Sequence, residues 1–173
     1  MGRAPVVAVN PYWLEDHVPA RPATHHDGKV DVAIVGAGVT GCSAALRLFP
    51  NDPIAYNDRC LARTMVGQNS EALRDCNAAL TLQPDMPEAL ANRGLVYSNA
   101  EQFDLAIKDY DKALRVKPGY VDAYLGRGWA YAGEGHYDLA LKDYDEVLRL
   151  EPTWAYVRKE RCRFYTLQRV RGS

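Results

Sequence analysis

A repeat with a period of 34 residues runs through most of the chain and restricts its possible folds more than any other feature. The hexapeptides ALTLQP, ALRVKP and VLRLEP begin at residues 79, 113 and 147, and each ends in a proline. Upstream of each proline, apolar and small residues recur at helical spacing in two blocks separated by a short polar break. Each repeat is therefore predicted to be a helix, a turn and a second helix, which the proline ends because its ring cannot continue a helix.

Single positions also agree across the repeats. Small residues stand at repeat position 8 and aromatic residues at positions 11 and 24 of the second and third units. Charged residues recur at positions 7 and 23, and we expect them to pair between helices: Arg59, Arg93, Arg127 and Arg161 with Asp75, Asp109 and Asp143. This pattern resembles the tetratricopeptide repeat family. The resemblance implies an all-α solenoid in residues 50–154, with repeats at 53–86, 87–120 and 121–154 and a capping helix at 155–173.

The same resemblance implies a concave groove lined by the first helix of each repeat. The residues placed there as candidates for contact with a partner are Asn57, Leu61, Asn92, Leu95, Leu125 and Trp129. For Leu61 and Leu95, packing against the neighbouring helix is an equal alternative. Members of the family that hold the terminal carboxylate of a chaperone tail use Lys, Arg and Asn side chains. Here only Asn92 of that set is present, since Asn57 and Gly126 stand at two of the basic positions.

A glycine-rich loop precedes the repeats. Gly36, Gly38 and Gly41 follow the strand-like segment VDVAIV and open a predicted helix, as in dinucleotide-binding folds. With the upstream segment PYWLEDHVPARP, residues 11–48 resemble the N-terminal edge of FAD-dependent oxidoreductases of the D-amino-acid oxidase and glycine oxidase type. The second strand, whose acidic end would hold the ribose, is replaced by the first repeat. We therefore interpret residues 30–49 as a truncated Rossmann-like strand-loop-helix after a flexible leader at 1–29, with vestigial glycines and no cofactor.

The end of this segment matches the repeats. The hexapeptide ALRLFP at residues 45–50 resembles the repeat endings, and Pro50 lies 34 residues before Pro84. The segment Val39 to Phe49 is therefore predicted to be a helix that caps the first repeat. A chain of this kind could arise by fusion or truncation of two coding regions.

Composition excludes several classes of function. The 21 basic and 22 acidic side chains give a net charge of −1, so no general attraction to nucleic acid or membranes is expected. The four cysteines show neither CxxC spacing nor a nearby histidine at zinc-ligand spacing. We expect no metal site and no disulfide framework, and interpret Cys60, Cys76 and Cys162 as small buried residues. A reducing cytoplasm is the simplest setting.

These features predict a non-enzymatic scaffold that binds an unidentified protein or peptide on its concave surface. The alternative is a fragment of an FAD-dependent oxidoreductase that binds flavin through GAGVTG. A chain with no selected function as a unit is a third possibility.

Overall fold

Eight helices make up the part of the protein that the computed structural model describes, residues 38–171, with side chains described through residue 166. They follow one another with short connections and pack as successive antiparallel neighbours. The helices are α1 (Val39–Leu48), α2 (Pro53–Met65), α3 (Asn69–Leu82), α4 (Pro87–Asn99), α5 (Phe103–Val116), α6 (Val121–Gly133), α7 (Tyr137–Leu150) and α8 (Ala155–Arg171). The predicted leader and strand at residues 1–37, including Gly36, lie outside the described residues.

The helix ends follow from local sequence signals. Proline occupies the first position of α2 and α4, where its missing N–H is not needed. Asp52 also caps α2, because its Oδ1 accepts a hydrogen bond of 2.9 Å from the Ile54 N–H. The second helix of each pair ends two residues before the repeat proline, at Leu82, Val116 and Leu150. The predicted helix-turn-helix units are confirmed.

The turn inside each pair needs a left-handed residue at the same repeat position. Gly67 and Gly135 adopt φ angles of 79° and 80° there, and Glu101 occupies the equivalent place with φ of 57°. Glycine adopts this region without a steric penalty, whereas a residue with a Cβ is strained in it. The middle repeat therefore carries a backbone strain that the other two avoid.

Two repeats close their helix pair by packing a ring against a glycine. A Cβ added to Gly94 would lie 2.9 Å from Cζ of Tyr110, and a Cβ on Gly128 would lie 2.9 Å from Cε1 of Tyr144. Both tyrosines are almost completely buried. Repeat positions 8 and 24 are thus in direct contact, and only glycine at position 8 leaves room for the ring.

The first repeat closes its helix pair differently. Cys60 and Cys76 occupy positions 8 and 24, and they form a disulfide with a Cα–Cα distance of 5.4 Å. The prediction that the chain contains no disulfide was wrong. Spacing along the sequence does not reveal this bond because the repeat fold, rather than a short motif, brings the two residues together. Cys162 is exposed, so its interpretation as a buried residue was also wrong.

The first helix enters the array as predicted, ending at Leu48 instead of Phe49. Cys42 and Leu46 are its buried side chains, and the helix packs against α2. Ser43 accepts a hydrogen bond of 3.3 Å from Arg59. Helix α1 thus takes the place that the second helix of a preceding repeat would occupy.

The last helix covers the other end of the array. Val157 is fully buried, and the Phe164 ring stacks on Tyr137 and Tyr144 at centroid distances of 5.5 and 5.7 Å. These contacts close the aromatic core of the third repeat, in keeping with the predicted capping role of the helix.

Candidate functional site

The first helices of the repeats share one face of the array. Helix α2 contacts α4, and α4 contacts α6, in addition to the contacts each makes with its own partner helix. This arrangement places α2, α4 and α6 side by side on the inner face of the solenoid. Helix α8 continues the series at the C-terminal end, because it packs on α7 in the way that α6 packs on α5. The inner face is called the groove below.

Position 9 of each repeat presents a partly exposed apolar side chain to the groove. Leu61, Leu95 and Trp129 occupy it, one repeat apart, and each is of intermediate exposure. Trp129 packs edge to face on Tyr156 of the last helix, with the ring centroids 6.2 Å apart. These three side chains, at equivalent positions of α2, α4 and α6, are called the apolar row below, and the Trp129–Tyr156 contact connects it to α8.

Position 5, in contrast, belongs to the core. Asn57, Ala91 and Leu125 stand there and are 3%, 6% and 3% exposed. Two candidate contact residues, Asn57 and Leu125, therefore have little side-chain surface to offer a partner in this structure. They were placed in the groove because the family resemblance assigns positions 5 and 9 to it, yet of these two positions only position 9 keeps partly exposed side chains in all three repeats.

An asparagine pair connects the first two repeats at the groove. The Asn92 side-chain nitrogen donates a hydrogen bond of 2.8 Å to Oδ1 of Asn57, and the Asn57 nitrogen donates to Asp58 at 3.3 Å. Asn92 is partly exposed, whereas Asn57 is buried. Asn57 thus orients Asn92, and Asn92 is the amide that a partner can reach.

Position 6 of the third repeat cannot carry a side chain without rearrangement. A Cβ on Gly126 would overlap the Tyr110 ring, and Tyr110 is itself 2% exposed. Burial also raises the pKa of Tyr110, so its phenol stays neutral in this site. The basic side chain that a carboxylate clamp needs at this position is therefore excluded by packing as well as by sequence.

A cluster of charged and aromatic side chains lies where the N-terminal ends of α4 and α6 meet the loop after α5. Lys117 lies 3.6 Å from the Glu88 carboxylate, and its ammonium group lies 4.5 Å from the centre of the Tyr120 ring. Burial, followed by the nearby Asp122 carboxylate, raises the pKa of Tyr120. These contacts connect the start of α4 to the start of α6.

The predicted pairs of arginine and aspartate are confirmed, and they lie between the helices of each repeat. Each arginine makes two hydrogen bonds of 2.7 to 2.9 Å with its aspartate: Arg59 with Asp75, Arg93 with Asp109, and Arg127 with Asp143. The three aspartates are at most 7% exposed. The fourth arginine, Arg161, binds an aspartate of the preceding repeat instead, with its Nη1 2.7 Å from Asp145.

Each arginine also reaches a residue at position 25 of the preceding unit. The acceptors are Ser43, Asn77, Asp111 and Asp145. This second series of contacts joins neighbouring units, including α1 to the first repeat. The arginines are therefore structural links within and between repeats, and their guanidinium groups are occupied.

The glycine loop is only partly described. Gly38 caps α1 and Gly41 lies in its first turn, whereas Gly36 lies outside the described residues. Within residues 38–171, no helix is long and apolar enough to cross a membrane. The same stretch contains no cluster of three or more His, Cys, Asp or Glu side chains suited to a metal ion.

Comparison with known proteins supports the fold. Residues 87–120 and 121–153 match the model of the tetratricopeptide repeat family. No match was found among curated proteins. The described residues thus form an all-helical tetratricopeptide repeat solenoid, in which the second and third repeats match the family model.

Solved structures give the same result. The first repeat domain of Spaghetti (RPAP3), bound to the HSP90 peptide SRMEEVD, is 24% identical with a TM-score of 0.65, covering 67% of this chain and 92% of that one. The first domain of human RPAP3 is 25% identical with a TM-score of 0.65, covering 68% and 92%. The MamA protein is 29% identical with a TM-score of 0.57, covering 68% and 64%.

Proposed function

We propose that this tetratricopeptide repeat solenoid is a non-enzymatic scaffold that binds a peptide segment of another protein in its groove. The observation that carries the proposal is the apolar row of Leu61, Leu95 and Trp129, which stays partly exposed while the neighbouring row at position 5 is buried. An apolar side chain that remains partly exposed on the inner face of the array is suited to contact a partner.

The row and the asparagine pair together define the ligand. Aliphatic or aromatic side chains of a peptide would pack on the apolar row, and the largest contact would be made with Trp129. The Asn92 amide, held by its hydrogen bond of 2.8 Å to Asn57, would bind the peptide backbone. Holding the amide in advance lowers the entropy cost of binding.

Two of the similar structures contain peptides of acidic sequence. The first domain of Spaghetti (RPAP3) is bound to SRMEEVD from HSP90, and the second domain of human RPAP3 to SGPTIEEVD from HSP70. For this chain we expect a peptide that is not selected by its terminal carboxylate. Asn57 is buried at one clamp position, and Gly126 cannot accept a side chain at another.

The alternative, flavin binding through Gly36, Gly38 and Gly41, has less support from the contacts of α1. In a dinucleotide-binding fold this helix would pack its apolar face on a parallel sheet. Here Cys42 and Leu46 are buried and the helix packs against α2. A flavin absorption band that stays with the purified protein through gel filtration would favour the alternative.

The scaffold proposal is tested by selecting binders from a phage-displayed library of random peptides on the purified chain. The dissociation constant of the best peptide is then measured for the wild type and for Leu95→Asp and Trp129→Ala. We expect each substitution to weaken binding at least about tenfold, the equivalent of 1.4 kcal/mol. Leu105→Asp is the matched control, because Leu105 is 41% exposed on α5, a second helix outside the groove.

Equal affinity of Leu95→Asp, Trp129→Ala and the wild type would refute binding in the groove. Failure of the library to yield any peptide that binds the folded chain would refute the scaffold proposal as stated.

A further inference from the structure

The disulfide of the first repeat replaces a packing contact. Cys60 and Cys76 stand at the two positions where the second repeat has Gly94 and Tyr110, which are in direct contact. A single cysteine at position 8 would clash with a ring at position 24, since a Cβ there comes within 2.9 Å of it. Cysteine at position 8 therefore requires a residue smaller than tyrosine at position 24, and the covalent bond joins α2 to α3 in place of the ring contact.

The buried apolar packing of the first repeat is small, and its helices are also joined by the Asp75 carboxylate, which accepts hydrogen bonds from Arg59 and Arg63. The repeat's own buried cluster consists of Cys60, Ala72, Cys76 and Val96, with Leu73 packed against it. A larger cluster runs from the end of α3 through α6 and includes Leu90, Tyr110 and Leu114, and Ile54 and Tyr56 of α2 pack against it. Two cysteines thus make up half of the small cluster, so breaking their bond removes the covalent link between α2 and α3 and loosens that cluster.

The bond also supports the groove. Helix α2 carries Leu61 of the apolar row and Asn57, which orients Asn92. If α2 moves away from both α3 and α4, the hydrogen bond between the two asparagines is lost and one third of the apolar row is displaced. The stability of a repeat array is set mainly by each repeat and its immediate neighbours. Opening of the first repeat can therefore leave α5 to α7 folded.

We propose that the Cys60–Cys76 disulfide regulates partner binding in the groove, a regulation that rests on the scaffold function proposed above. Oxidation joins the two thiols and fixes α2 on α3, while the two electrons and two protons pass to a small disulfide such as oxidised glutathione, which leaves as two thiols. Reduction by a dithiol reverses the reaction and opens the N-terminal part of the groove.

Burial of the bond adds a reciprocal coupling. Both cysteines are 0% exposed, so a reductant reaches the sulfurs only when the first repeat opens. A partner that spans α2 and α4 opposes this opening. Bound partner therefore slows reduction. Because the oxidised chain binds partner more tightly, bound partner also shifts the equilibrium toward the disulfide, as linkage requires.

The disulfide also bears on the compartment. The prediction of a reducing cytoplasm rested in part on the absence of a disulfide, and that premise is wrong. Redox regulation requires a compartment in which both a disulfide oxidant and a dithiol reductant act on the chain.

Hydrogen exchange measured by mass spectrometry tests the structural half of this proposal without a partner. The samples are the oxidised chain, the chain reduced to completion as verified by its mass, and Cys60→Gly–Cys76→Tyr, which restores the contact found in the other repeats. On reduction we expect amides of residues 53–82 to exchange at least about tenfold faster and those of residues 121–150 to change less than about twofold. The double variant should not respond to the reductant.

The selected peptide tests the functional half on the same samples. Its affinity should fall at least about tenfold when the wild type is reduced, and it should be independent of the reductant in the double variant. Cys60→Ala–Cys76→Ala should behave as the reduced chain under both conditions.

The outcomes separate the two proposals. If the peptide binds the oxidised and reduced wild type equally, the scaffold stands and the redox regulation is overturned. Equal exchange of residues 53–82 in both redox states overturns it as well. If no peptide binds the oxidised chain although reduction opens residues 53–82, the scaffold function fails and the regulatory role of the bond fails with it.

Discussion

Arg127 holds Asp143 by two hydrogen bonds, from Nε at 2.9 Å and from Nη2 at 2.7 Å, across the two helices of the third repeat. The same guanidinium donates a third bond of 2.6 Å to Asp111 of the preceding repeat. One side chain thus joins α5, α6 and α7. Its chemical counterpart at the end of the array, Arg161, has only an exposed aspartate as its partner.

Replacement of these two arginines by methionine should give very different results. Arg127→Met leaves the Asp143 carboxylate buried without its partner, and breaking such a buried pair costs about 3–5 kcal/mol. Arg161→Met is the matched control, because its partner Asp145 is 60% exposed, and we expect a cost of about 1 kcal/mol or less. Urea denaturation of both variants measures the difference. Equal losses would show that burial of the aspartate does not set the strength of the pair.

Asp143 should make a contribution to the free energy of unfolding that decreases as the pH rises. Burial raises the pKa of this carboxyl above its ordinary value of 3.8, although the bond to Arg127 acts in the opposite direction. The folded chain therefore binds this proton more readily than the unfolded chain does. The contribution of the group to stability is greatest when it is protonated, and it falls as the pH rises from below 3.8 through the raised folded pKa.

The corresponding experiment compares the wild type with Asp143→Asn, which cannot titrate at this position. The free energy of unfolding of the wild type minus that of the variant should decrease as the pH is raised through this window. Denaturant titrations at a series of pH values give the difference directly. Asp104→Asn, at an exposed site on α5, reports the general effect of removing one carboxyl. A difference that grows with pH would contradict the raised pKa.

The left-handed residue of the middle repeat offers a stabilising substitution. Glu101 has φ of 57° where the other two repeats have glycine. Replacing it with glycine removes strain of about 1 kcal/mol, so Glu101→Gly should raise the free energy of unfolding by about that amount. Gly135→Ala, the reverse change at φ of 80°, should lower it by a similar amount. Loss of stability in Glu101→Gly would mean that contacts of the Glu101 side chain outweigh the strain.

The helices and their pairing could be predicted from the sequence because both depend on periodic features. The period of 34 residues places an arginine at position 7 and an aspartate at position 23 of each repeat, as with Arg93 and Asp109. The helix-turn-helix fold then brings each arginine next to its aspartate. The disulfide was missed because its signal is a correlated departure from the pattern. Cys60 and Cys76 replace a glycine and a tyrosine that touch in the other repeats. Neither cysteine alone indicates the bond, whereas the two replacements together do.

Burial within the groove could not be predicted in the same way. Leu125 and Trp129 lie one turn apart on the same helix, yet Leu125 is buried and Trp129 is partly exposed. The difference depends on how closely the neighbouring first helix approaches, which periodicity does not determine. Cys162 stands at repeat position 8, like the buried Cys60, yet it is exposed.

The peptide SRMEEVD, which is bound by the first repeat domain of Spaghetti (RPAP3), provides a last test of selectivity. In a carboxylate clamp, amidation of the terminal carboxyl removes a charge that basic side chains bind. Here Tyr110 fills the space at Gly126 and Asn57 is buried. We therefore expect SRMEEVD and its amidated form to have affinities within about twofold of each other, a difference of less than about 0.5 kcal/mol. Isothermal titration calorimetry of both peptides makes the comparison, and a loss of affinity of about tenfold or more on amidation would show that other residues bind the carboxylate.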